Sequence, residues 1–201
     1  MGSTMTLVNG TTPGRLSLQL VDATCNKNGF EYGVSDRVLC GLRASKVPLA
    51  SDDVKHVKTL RELENACQGS FNALLYFAHG GRVDGTEASK IQAGDMVTTW
   101  YLLQHLNLNL EDKLVCLCVC HGYNGDAINT LPQGNLFALT VVAPKDAISG
   151  QEAVLFFPKF FATLAPLCPN EIDPNIVREK VNELNNLVGN KMKIFSQGLS
   201  G

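Results

Sequence analysis

Between Lys113 and the Gly-rich corner Cys120-His121-Gly122-Tyr123-Asn124-Gly125 runs an uninterrupted apolar stretch, Leu114-Val115-Cys116-Leu117-Cys118-Val119. A stretch this short, with no polar alternation, predicts a central strand buried on both faces. Alternation along it puts Cys116, Cys118 and Cys120 on one face. Cys120 differs from the other two because it stands at the strand's carboxyl end, just before the turn. In an open parallel sheet, ligands and chemistry collect at that edge. A thiol there meets solvent while its backbone stays anchored in the core. Cys120 is therefore the candidate nucleophile, and Cys116 and Cys118 read as core thiols.

A second run of the same kind, Ala73-Leu74-Leu75-Tyr76-Phe77-Ala78, closes in His79-Gly80-Gly81. Leu16 to Ala23 reads as a first strand, Leu136 to Ala143 as another buried one, and Met192 to Phe195 as a closing strand. Helices are expected between them. Thr59-Leu60-Arg61-Glu62 is a capping-box pattern, with Leu60, Leu63 and Cys67 at helical spacing. Asp95 is placed to cap a helix carrying Met96, Val97, Trp100, Leu103 and Leu106. Gln151 to Leu167 predicts a helix with Phe156, Phe157, Phe160 and Phe161, kinked at Pro158. Asp173-Pro174 opens a last helix, with Gly189 just past its end. Gly81 and Gly85 support turns. Thr24 to Asp53 is rich in turn formers and yields no clear element, with Val34, Val38, Leu39, Leu42 and Val47 as short-strand or loop anchors. Residues 1–14 form a loose polar arm, and 15–201 a single domain. Strands alternating with helices predict an α/β domain with a mostly parallel sheet.

The two strand ends match: an apolar run, a reactive side chain, then Gly. With the strands as neighbours, His79 and Cys120 emerge side by side. Thiol catalysis needs such a pair, because the thiolate is the nucleophile and an adjacent imidazole favours it. The backbone N–H groups of Gly80 and Cys120 would then face the oxyanion of acyl transfer, and Gly80 lets the main chain approach the substrate. Other readings stay open. A strand-end His is often a hydrogen-bonded structural residue, and His121, directed away from the Cys120 face, is the second choice as base. Cys116, Cys118, Cys120 and His121 would be the metal set, but no second Cys/His group supplies the returning ligands. No metal and no cofactor is expected.

Composition argues against several other classes. The 201 residues are 45% hydrophobic and 18% charged, with a formal net charge of −2, which suits one well-buried core and gives no argument for nucleic acid. No Lys/Arg cluster suggests a membrane surface, no apolar stretch has the length of a membrane span, and no secretory leader is expected. Seven cysteines, an odd number partly set in apolar runs, fit buried thiols in a cytoplasmic protein better than a disulfide framework. Met1-Gly2-Ser3-Thr4-Met5-Thr6 fits the loose myristoylation pattern and, at least as well, an added expression leader.

With these motifs located, the chain resembles the caspase-like cysteine peptidases, the group of caspases, metacaspases, separases and bacterial CHAT domains. The resemblance rests on Leu74-Leu75-Tyr76-Phe77-Ala78-His79-Gly80 and Val115-Cys116-Leu117-Cys118-Val119-Cys120. The His lies 41 residues before the Cys, near the separation of about 50 in caspases. Cys120-His121 followed by Gly is similar to the metacaspase Cys-His-Ser-Gly turn. Leu139-Thr140-Val141-Val142-Ala143, then Gln151-Glu152-Ala153 and Phe160-Phe161-Ala162-Thr163-Leu164, is similar to the closing strand and aromatic helix of CHAT domains. A stand-alone CHAT-type domain is thus the nearest match, over about residues 55 to 195. The chain departs from the family where metacaspases carry an acid two residues before the nucleophile; here that position is Cys118. The CHAT acidic pair reads Ile148-Ser149-Gly150, and the caspase Gln-Ala-Cys is absent.

The resemblance implies a three-layer α/β/α fold and a cysteine endopeptidase acting on a protein substrate, with His79 as general base and Cys120 as nucleophile. An activating protein partner is in keeping with a CHAT-like domain standing alone. Many members select a basic residue before the cut through an acidic pocket, which makes Asp126 and, preferably, Asp146 the expected substrate-binding acids. The rival from another class is a catalytically silent caspase-like module for protein interaction or regulation. The retained Cys and His argue against it, and the lack of an evident specificity pocket argues for it.

Overall fold

The computed structural model describes residues 16–24, 33–82, 89–93, 96–99, 113–123, 140–168 and 171–196; for 82, 89–93 and 96–99 it describes the backbone. In chain order the described strands are β1 (Leu18–Asp22), β2 (Lys55–His56), β3 (Ala73–Phe77), β4 (Gly80–Arg82), β5 (Ser89–Ala93), β6 (Met96–Thr99), β7 (Leu114–Cys118), β8 (Thr140–Pro144) and β9 (Met192–Ser196). The described α-helices are α1 (Val34–Ala44), α2 (Leu60–Cys67), α3 (Gly150–Leu164) and α4 (Pro174–Leu184), the last running into a 3-10 turn at Asn185–Val188.

The central sheet has six strands in the order β2-β1-β3-β7-β8-β9. All neighbours are parallel except β8 and β9, which pair antiparallel. Strands β1, β3 and β8 are buried along their whole length, and β7 up to Cys118. That is the consequence of apolar runs without alternation: both faces are covered. Leu18, Leu20, Leu75, Phe77, Cys116 and Val142 pack on one face with α1, α3 and α4. Val21, Leu74, Tyr76, Val115, Leu117 and Val141 pack on the other with α2. The fold is thus three-layered α/β/α with a mostly parallel sheet, as the sequence predicts.

The helices follow their local signals. Thr59 caps α2 with a complete capping box to Glu62, and Ser149 caps α3 in the same way with Glu152. Asp173 caps α4, with Pro174 at its first position, and Gly189, at φ 59°, ends the 3-10 turn. On α3, Phe156, Phe157, Phe160 and Phe161 are fully buried, each burial contributing about 1.5–3 kcal/mol. The helix runs on through Pro158, whose ring packs on α1 at Gly41. A Cβ at Gly41 would lie 2.7 Å from Pro158 Cγ, so the small residue sets how closely the helices approach.

Three expectations need correction. The segment Thr24 to Asp53 contains helix α1, in which Val34, Val38, Leu39 and Leu42 are buried on one face. The helix expected from Met96 is strand β6 over its described part, paired antiparallel with β5. Val97-Thr98-Thr99 is β-branched throughout, which disfavours a helix and favours a pleated strand. Ala93 pairs with Met96 at the end of the β5–β6 ladder, while Asp95, expected as the helix cap, lies outside the described residues. Gly80 and Gly81 belong to β4, which pairs with β5 in a separate three-stranded sheet.

Candidate active site

Strands β3 and β7 are neighbours, with Phe77 opposite Cys118 in a parallel register. Each chain then runs two residues further, to His79 and to Cys120. The Ala78 N–H still donates to the Cys118 carbonyl at 3.4 Å, so the two chains stay side by side beyond the ladder. Gly80 continues this close approach. A Cβ on it would stand 2.2 Å from the Cys120 carbonyl oxygen and 2.4 Å from Val119 Cγ1. Only a residue without a side chain fits there. His79 is exposed and Cys120 half-buried, and the Cys120 thiol donates to the Ile148 carbonyl at 3.7 Å.

Cys120 lines a pocket at the carboxyl ends of the parallel strands. Its walls are Asp22 at the end of β1 and Thr24 after it, Phe77 at the end of β3 and Ala78 after it, Cys118 from β7, and Ile148-Ser149-Gly150 at the start of α3, with Val34 and Ser35 closing it from α1. Counted together with the open solvent at its mouth, the space between these walls is about 370 Å³. This is the edge at which open α/β sheets bind ligands.

Its acid is Asp22, which the sequence reading passed over. The side chain is 7% exposed. Its Oδ1 accepts from the Thr24 N–H at 2.8 Å and the Thr24 hydroxyl at 2.6 Å; its Oδ2 accepts from the Ser35 hydroxyl at 2.5 Å. His56 Nδ1 lies 3.8 Å from Oδ2. A carboxylate has about four lone-pair sites, so these three hydrogen bonds hold the group while leaving acceptor capacity for a ligand. The signal was in the sequence: Asp22 is the one charge in the run Leu16 to Ala23, at the strand end where a side chain meets the sheet edge.

The other predicted residues sit around this centre. Asp146 is half-exposed, with Lys145 Nζ at 3.9 Å from its carboxylate, and is not among the pocket-lining residues. Its carbonyl accepts from the His121 N–H at 3.1 Å. Asp126 lies outside the described residues. His121 has φ 55°, and its Nδ1 lies 3.3 Å from the Lys145 carbonyl. Its ring thus engages the chain after β8. With Gly122 N–H donating to Val119 and Tyr123 N–H to Pro144, the turn carrying Cys120 is stapled to that segment.

Burial sets Cys116 and Cys67 apart from Cys120, whereas Cys118, expected as a core thiol, is part-buried and lines the pocket. Burial pushes Cys116 well above the ordinary thiol value, and pushes Cys67 up to about 12 against the lowering charges of Lys113 and Lys55. Both are inert packing groups. Among the described residues no group of three or more His, Cys, Asp or Glu is placed to hold a metal ion, and no helix is long and apolar enough to cross a membrane.

No protein-family profile and no curated protein sequence matches the chain. Among solved structures it is similar to the Arg-specific cysteine proteinase gingipain R, at 11% identity and a TM-score of 0.52, over 92% of this chain and 46% of that one. The chain therefore spans less than half the length of that protein. The Drosophila initiator caspase Dronc matches at 11% identity and a TM-score of 0.49, over 93% of this chain and 80% of that one. What the chain shares with gingipain R is the fold, a mixed α/β architecture around a mostly parallel six-stranded sheet.

Proposed function

We propose that the chain is a caspase-like cysteine endopeptidase with His79 as general base and Cys120 as nucleophile. The observation that carries this is the shared register of β3 and β7, which delivers both residues to one sheet edge beside a pocket. His79 takes the thiol proton and the Cys120 sulfur attacks the scissile carbonyl. The N–H groups of Gly80 and Cys120 receive the oxyanion. His79 returns the proton to the leaving amine, and water then releases the acyl group from sulfur. The pocket beside Cys120 receives the side chain that precedes the cut. Asp22 lines it, so Arg or Lys is the preferred residue, through charge-assisted hydrogen bonds in a partly dry site.

A thiol-reactive peptidyl probe bearing Arg next to its warhead tests the assignment. It is expected to label the protein at Cys120, to fail with Cys120→Ala, and to label His79→Ala about 10²- to 10⁴-fold more slowly. Labelling at another cysteine would move the nucleophile. A folded protein that takes no probe would be a silent interaction module with the same fold.

A further inference from the structure

We propose that Cys118 is a resolving thiol for Cys120, and that the pair closes reversibly into a disulfide when the site meets a peroxide. Among the described cysteines, Cys118 and Cys120 alone line the pocket, both are partly exposed, and neither is in a disulfide in this structure. Both pack on the same face of the sheet, toward α1 and α3. Two extended residues advance a chain by about 6.7 Å, the upper end of the Cα separation of about 4.4–6.8 Å that a disulfide spans. The ladder ends at Cys118 and the chain bends at Val119 before turning at Cys120, so the pair is not held in a regular extended strand. Cys116, two residues earlier on the same face, is fully buried and reaches neither the pocket nor an oxidant.

The chemistry needs only a peroxide. The Cys120 thiolate attacks a peroxide oxygen: an S–O bond forms, the O–O bond breaks, and hydroxide leaves. Sulfur is oxidised by two electrons to sulfenic acid while the peroxide is reduced. The Cys118 thiol, giving up its proton, attacks the Cys120 sulfur. The S–S bond forms, the S–O bond breaks, and water leaves. A disulfide spanning one intervening residue is held near its geometric limit and is readily reopened by an external thiol. The closed pair spares Cys120 from irreversible over-oxidation and blocks the pocket until it is reduced.

The proposal takes the reactive role of Cys120 from the reading above. Its test is read by mass, so that either can fail without the other. The protein is treated with hydrogen peroxide and digested with trypsin, which releases Leu114 to Lys145 as one peptide. In wild type this peptide is expected to be about 2 Da lighter, to give no fragment ions between Cys118 and Cys120, and to recover its mass with dithiothreitol. In Cys118→Ala, and in Cys118→Ser as a second variant, Cys120 is expected to advance to sulfinic acid, about 32 Da heavier and not recovered by the thiol. Wild-type Cys120 going straight to sulfinic acid would overturn the proposal. So would a bond mapped to Cys116, or a Cys118→Ala protein whose Cys120 stays as reversible as wild type.

Discussion

Asp22 carries the specificity reading because a carboxylate 7% exposed must be held by partners, and its partners leave it facing the pocket. Thr24 and Ser35 supply the hydrogen bonds that offset desolvation. Asp22→Asn keeps the shape and an acceptor for Ser35 but removes the charge. In peptide-library profiling it is expected to lower kcat/KM for Arg and Lys substrates by about 10- to 100-fold relative to uncharged ones. Asp146→Asn, at a half-exposed acid outside the pocket, is expected to change the profile less than about threefold. The reverse result would return the specificity role to Asp146. Gly80 makes a second residue-scale prediction. Its missing Cβ is the space occupied by the Cys120 carbonyl and Val119. Gly80→Ala must push β3 and β7 apart beyond their last pair, costing about 1–3 kcal/mol. Probe labelling of Cys120 should fall even where the variant remains folded by circular dichroism.

At the scale of elements, the amino end of α3 is tied to the strand that closes the sheet. Glu152 completes the Ser149 capping box, and Lys191, just before β9, reaches its other oxygen at 2.6 Å. The Lys191 carbonyl in turn accepts from Lys145 N–H, beside the Cys120 turn. Ser149 and Gly150 form part of the pocket wall, so this cap also braces the site. Burial alone would raise the Glu152 carboxyl, but hydrogen bonds from Lys191 and Ser149, with the Lys191 charge, outweigh it and hold the group below its ordinary 4.5. A carboxylate whose folded value is depressed adds stability above its unfolded value and loses it as pH falls through the folded one. The advantage of wild type over Glu152→Gln in urea unfolding should therefore be full above pH 4.5 and shrink below it. An advantage that stays constant through this range would remove the charge from the account.

Over the whole molecule, β3 and β7 are the interior of the sheet, with strands on both sides and core on both faces. His79 and Cys120 follow these two strands, so the proposed catalytic pair rides on the part of the fold least able to open locally. Hydrogen exchange should be slowest in Leu74–Phe77 and Val115–Cys118, and faster in the two-residue edge strand β2 and in β9. Fast exchange in β3 or β7 would mean that the site is assembled by something other than this pair of strands.

The chain by itself specified much of this arrangement wherever the cause is local. Apolar runs without alternation marked β3 and β7, caps marked the starts of α2 and α4, and the matching ends His79-Gly80 and Cys120-His121-Gly122 marked a common edge. Helix α1 was legible only in part: Val34, Val38 and Leu42 have helical spacing, but the turn formers around them hid it, and its burial against α3 is what makes it a helix. At Met96 a scatter of apolar residues resembled a helix face, while β-branching and pairing with β5 decided for a strand. The pocket was not legible at all. Asp22, Cys120 and Ile148-Ser149-Gly150 come from β1, the turn after β7 and the start of α3, which sheet order brings together. Periodicity reports which face of an element is buried, whereas the distance between side chains far apart in the chain is set only when the layers pack.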